Sequence, residues 1–75
     1  MFEDHDDLRE LDKFLVPWGK EITIREVTLE GGVKMLRVRI KEGKSRFTDL
    51  ELDFDAAEKW GSIMAQWAKD TRPAE

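Results

Sequence analysis

The stretch Phe47 to Asp70, FTDLELDFDAAEKWGSIMAQWAKD, decides the fold, because its apolar period changes from two to about 3.6 within a few residues. Leu50, Leu52 and Phe54 alternate with Asp49, Glu51 and Asp53, the pattern of a half-buried strand. Beyond Asp55, residues Ala57, Trp60, Met64, Trp67 and Ala68 share one face of a helix, with Ile63 at its flank and Glu58, Ser62, Gln66 and Lys69 opposite. Asp55 followed three residues later by Glu58 has the spacing of a capping box. Gly61 lies near the centre of the apolar face, where a missing side chain would let a strand approach closely. A strand therefore feeds a helix that covers it, and Thr71, Arg72 and Pro73 end the helix.

Working toward the N-terminus, Glu42-Gly43-Lys44-Ser45 interrupts a run, KMLRVRIK, in which Leu36, Val38 and Ile40 alternate with Arg37, Arg39 and Lys41. Gly31-Gly32 supplies a tight turn in which both residues can take positive φ. Before it, KEITIREVTL places apolar residues at Ile22 and Ile24 and then at Val27 and Leu29, so the parity changes once. A bulge near Arg25 and Glu26 would return all four to one face, setting Val27 opposite Leu36 and Glu26 opposite Arg37. Leu8, Leu11, Phe14 and Leu15 recur at helical spacing up to Pro17, which predicts a short N-terminal helix. The alternative is an additional strand through Lys13 to Trp18, because Phe14, Val16 and Trp18 also alternate.

The expected architecture is α+β: a three-stranded antiparallel meander, four-stranded if the N-terminal element is a strand, with a C-terminal helix packed on one face. One domain accounts for all 75 residues. It divides into an acidic tail over 1–7, an N-terminal element over 8–19, strands over 20–54 and the helix over 55–70.

Charged and hydrophobic residues each make up 40% of the chain, a composition that fits a folded soluble domain and neither a disordered tail nor a membrane span. The net charge of −4 gives no general attraction to phosphate backbones or anionic lipid. Cysteine is absent, which excludes disulfides and thiolate metal sites, and no leader pattern opens the sequence, so the expected location is the cytoplasm. His5 among Glu3, Asp4, Asp6 and Asp7 has metal-liking residue types but no fixed geometry, and no cofactor is expected. With one His, no Cys, no Tyr and no phosphate-cradling glycine loop, the sequence carries no catalytic constellation, and the expectation is a protein that is not an enzyme.

The run GGVKMLRVRIKEGKSRFTDLELDFDAAEKW resembles a PUR repeat and, more distantly, the PC4 coactivator fold. The likeness lies in the glycine turn before a strand rich in Leu, Arg and Ile, in the Gly-Lys-Ser-Arg loop, and in the strand-to-helix step with its Ala-rich first turn. It implies single-stranded DNA or RNA bound on the open sheet face, at positions that here are Arg37, Arg39, Lys41, Arg46 and Phe47. PUR proteins pair two such repeats, a role that a second identical chain could take. The sequence also has the look of short bacterial proteins of unknown function.

Against the nucleic-acid reading, Asp49, Glu51 and Asp53 share the outward face with those bases, and any register that buries Leu50 and Leu52 against Val38 and Leu36 sets acid opposite base. The preferred reading is a small non-catalytic interaction or regulatory module, with an unidentified protein partner and a homodimer expected. Trp67 and Ile63 widen the apolar arc of the helix beyond what a three-stranded sheet needs, and with Trp18 they are the expected partner contacts.

Overall fold

The computed structural model describes residues 7–73. The element order is β1 (Asp7–Val16), a 3-10 turn (Pro17–Gly19), β2 (Lys20–Thr28), β3 (Lys34–Glu42), β4 (Arg46–Leu52) and α1 (Phe54–Thr71). The strands form one antiparallel sheet in the order β1-β2-β3-β4, and α1 packs on one face of it, chiefly against β3 and β4. The expected α+β meander with a C-terminal helix is therefore present, in its four-stranded form. The acidic segment around His5 lies outside the described residues.

The N-terminal element is a strand, not the helix that its spacing predicts. The register of β1 on β2 shifts between Glu10 and Asp12, leaving Leu11 as the extra residue of a bulge. The apolar residues of β1 are divided between the two faces of the sheet on either side of this bulge, so they lack strict alternation and their spacing imitates a helical stripe. Phe14 and Val16 end up on the side facing α1, whereas Leu8, Lys13 and Leu15 point to the open face, across from Val27, Thr23 and Glu21 respectively.

The expected bulge in β2 is absent. Ile22, Ile24, Glu26 and Thr28 pair in one unbroken register with Ile40, Val38, Leu36 and Lys34, and Val27 pairs with Met35 rather than with Leu36. The turn is one residue longer than the two-residue hairpin: the Leu29 N–H donates to the Val33 carbonyl at 2.7 Å and the Gly32 N–H to the Leu29 carbonyl at 2.9 Å. Gly31 and Gly32 carry the positive φ, 92° and 87°. The parity change is absorbed by burying Val27 on the open face, fully, between Leu8 of β1 and Met35 of β3.

Asp53, expected on the outward face of the strand, lies just past its end and, rather than Asp55, caps the helix. Its carboxylate accepts from the Ala56 N–H at 2.8 Å, and Asp55 sits in the first turn, where it suits the positive helix end. Phe54, expected as the last inward strand residue, is instead the first residue of the helix and is 80% exposed. The chain turns as soon as Leu52 has met Leu36, and the first acid after that point takes the cap.

Leu36, Val38 and Ile40 face the helix, as their alternation requires, and Trp60 lines a groove with Leu50 and Leu52. The space between sheet and helix is nevertheless not closed. Among the described residues only Val27, Val38 and Thr23 are buried, and no residue of α1 is. A Cβ added at Gly61 would meet nothing within 4 Å, so the expected close approach of helix to strand is absent. An open apolar cleft of about 460 Å³ lies there, lined by Phe14, Val16, Ile22, Ile24, Val38, Ile40, Gly61 and Met64 among others. It has roughly three times the volume of the ~150 Å³ engineered cavities that admit benzene.

Candidate interaction surfaces

Two surfaces have the residue chemistry of a site: the open sheet face and the apolar helix side. Cross-strand register arranges the open face in rows of four. Glu10, Arg25, Arg37 and Glu51 form one row, Lys13, Thr23, Arg39 and Asp49 the next, and Leu15, Glu21, Lys41 and Phe47 a third. In the first two rows the base on β3 lies directly opposite an acid on β4. Arg39 clasps Asp49 through two hydrogen bonds, Nε to Oδ1 at 2.7 Å and Nη2 to Oδ2 at 2.9 Å. Arg37 donates to Glu51 from Nε at 2.8 Å and also from Nη2.

The electrostatics follow this pairing. The hydrogen bonds from Arg39 hold the Asp49 carboxyl below its ordinary range; partial burial opposes them, and the charges of Arg39, Arg37 and Arg25 add to them. The same contact raises the Arg39 guanidinium. Arg39 also lies over the Phe47 ring, 4.9 Å from its centre, which draws guanidinium and ring into one flat patch. The ion pairs found among the described residues involve none of Lys13, Arg25 and Lys41, although Arg25 has Glu10 and Lys41 has Glu21 as a strand neighbour.

Of the five residues singled out for nucleic acid, the structure gathers four, Arg37, Arg39, Lys41 and Phe47, on this face. Arg46 is not with them. It pairs with Glu42 in the parity of Ile40 and so belongs to the helix side of the sheet. Glu26 also departs from its expected place opposite Arg37: without a bulge in β2 it lies on the helix side opposite Leu36. There it accepts from Arg9 at 2.7 Å and from Lys34 at 3.1 Å, contacts that lower its pKa, Arg9 foremost.

The helix side carries the other surface. Trp60, Ile63, Met64 and Trp67 are 37%, 56%, 50% and 67% exposed, a continuous arc of large apolar side chains along one flank of α1. Ile63 and Trp67 together line a shallow groove with Ser62, Gln66 and Asp70. Trp18, grouped with them on sequence grounds, is separate: it is on the β1–β2 turn, 91% exposed, in a left-handed conformation (φ 67°) that a bulky side chain adopts at a cost of roughly 1–3 kcal/mol. A sequence reading had no signal for the left-handed Trp18, because Gly19 immediately after it was the natural holder of positive φ.

A family model matches residues 5–70, described as a family of unknown function (DUF6967). The chain belongs to the DUF6967 family. No curated protein and no solved structure matches it. The matched span of this DUF6967 chain takes in all four strands and nearly the whole helix, hence both surfaces. Among the described residues no group of three or more His, Asp or Glu is placed to hold a metal ion, and no helix is long and apolar enough to cross a membrane.

Proposed function

We propose that this chain is a small non-catalytic interaction module that works as a homodimer. The observation that supports it is surface. A compact monomer of 8.8 kDa exposes roughly 4,800 Å², whereas this chain exposes 6256 Å². Its radius of gyration is 14.9 Å, where a compact 75-residue domain has about 11 Å. An excess on the order of 1,000 Å² per chain is what a subunit shows when its interface is laid bare, and two such surfaces together reach the obligate-homodimer class of roughly 2,000–5,000 Å². The arc from Trp60 to Trp67 is the type of surface that interfaces bury, rich in Trp and Met and poor in charge. Light scattering on the eluting protein tests this reading: a particle of twice the chain mass is expected, and a lone chain at high micromolar concentration overturns it.

A second reading, single-stranded nucleic acid held on the open sheet face as in PUR and PC4 proteins, draws support from the Arg39–Phe47 patch and from Lys41 beside it. The paired acids Asp49 and Glu51 weigh against it, since a phosphate would have to displace them. Oligonucleotide titration at low salt separates the two readings. Salt-dependent binding abolished by Arg39→Glu would favour the second, and no binding at low salt removes it.

A further inference from the structure

One helix cannot roof this sheet. Neighbouring strands lie about 4.8 Å apart and a helix with its side chains is about 10–12 Å across, so α1 covers roughly two strands of four. It lies over β3 and β4. The apolar residues that β1 and β2 present on that side, Phe14, Val16, Ile22 and Ile24, remain as the floor of the open cleft. Meanwhile α1 has more apolar side chain than it uses. Ala57 and Ala68 are its least exposed residues, and they share a face with Met64, whereas Ile63 and Trp67 project about a quarter-turn or more away from that face.

Resting on the homodimer reading, we propose that a second copy of this chain seats the Ile63–Trp67 flank of its helix in the cleft over β1 and β2, and receives the first copy's flank in return. The two strips are complementary within one sequence: Ile63 and Trp67 stand exposed on the helix flank, and the cleft is open and apolar, with Ile22 and Ile24 beside Phe14 on its floor. A twofold axis requires such reciprocity, since whatever residue i of one copy touches on the other must be touched in return. Among the described residues there is no second α-helix to cover the β1–β2 half, and a second copy brings one.

The test uses the full chain, half of it carbon-13 labelled and half unlabelled, mixed through unfolding and refolding. Nuclear Overhauser contacts filtered for pairs between labelled and unlabelled chains are expected from the Trp67 indole and Ile63 methyls to the methyls of Ile22 and Ile24. A companion variant, Ile24→Lys, is expected to raise the dissociation constant at least 100-fold, with circular dichroism reporting whether the strands survive. Intermolecular contacts confined to the open face, around Leu15 or Phe47, would overturn this arrangement while leaving the homodimer standing. So would an Ile24→Lys chain that folds and dimerises like the parent. A monomer at every concentration would overturn both, and if Ile24→Lys fails to fold, the filtered contacts in the parent chain decide alone.

Discussion

Trp67→Ala separates a side chain that is surplus in a lone chain from one that is central in a pair. In the single chain the indole is 67% exposed, so truncation removes only the third that already touches its neighbours. A fully buried aromatic contributes 150–250 Å², which leaves roughly 100–165 Å² of Trp67 to be covered by a partner. At about 25 cal/mol per Å² this is about 2.5–4 kcal/mol per chain. Each dimer contains the change twice, and every 1.4 kcal/mol is tenfold, so a dissociation constant at least about 1,000-fold weaker is expected. Sedimentation equilibrium of parent and variant over a broad concentration range measures it, and far-ultraviolet circular dichroism checks that the variant folds at the top of that range. A variant that associates as tightly as the parent would refute the reasoning, for it would mean that the most exposed large side chain of the helix flank meets nothing.

Three further outcomes follow from local geometry. Asp53→Ala removes the carboxylate that accepts from the Ala56 N–H and should cost about 1 kcal/mol in chemical denaturation, with Asp55→Ala costing less; equal losses would return the cap to Asp55. Asp49→Asn should cost roughly 0.2–1 kcal/mol at pH 7, the worth of an exposed cross-strand pair. The Asp49 carboxyl titrates below its ordinary value of 3.8, so its contribution is complete above that pH and fades as pH falls through the lowered value. The difference between parent and Asp49→Asn should therefore vanish in strong acid, and a difference that persists there would mean packing, not charge, is responsible.

The strands β2 to β4 and the helix were legible because one face of each is apolar and the other charged, so period alone reports them. That same pattern concealed β1. With a bulge at Leu11 and apolar residues on both faces, β1 lacks the strict alternation that marks a strand, and only the partner strand resolves it. The register near Val27 is ambiguous in the sequence: a change of parity signals either a bulge or a switch in which face is buried, and Val27 takes the second course with Leu8 and Met35 beside it. Pairing of Arg37 and Arg39 with the β4 acids was legible, because burying Leu50 and Leu52 dictates it. The surplus width of the apolar arc around Trp67 and Ile63 was also visible. What the sequence lacked was the empty cleft, since Gly61 reads equally as a close contact or as a gap, and only coordinates separate the two.

The central claim is that one chain leaves its apolar side unfinished and a second copy completes it. Urea denaturation followed at several protein concentrations tests this most directly, because folding and association are then one equilibrium. Each tenfold increase in concentration should add about 1.4 kcal/mol of stability per dimer, which at ordinary denaturant slopes moves the midpoint upward by roughly 0.5–1 M. A midpoint that stays fixed across three decades of concentration, with the chain folded at the lowest, would contradict it.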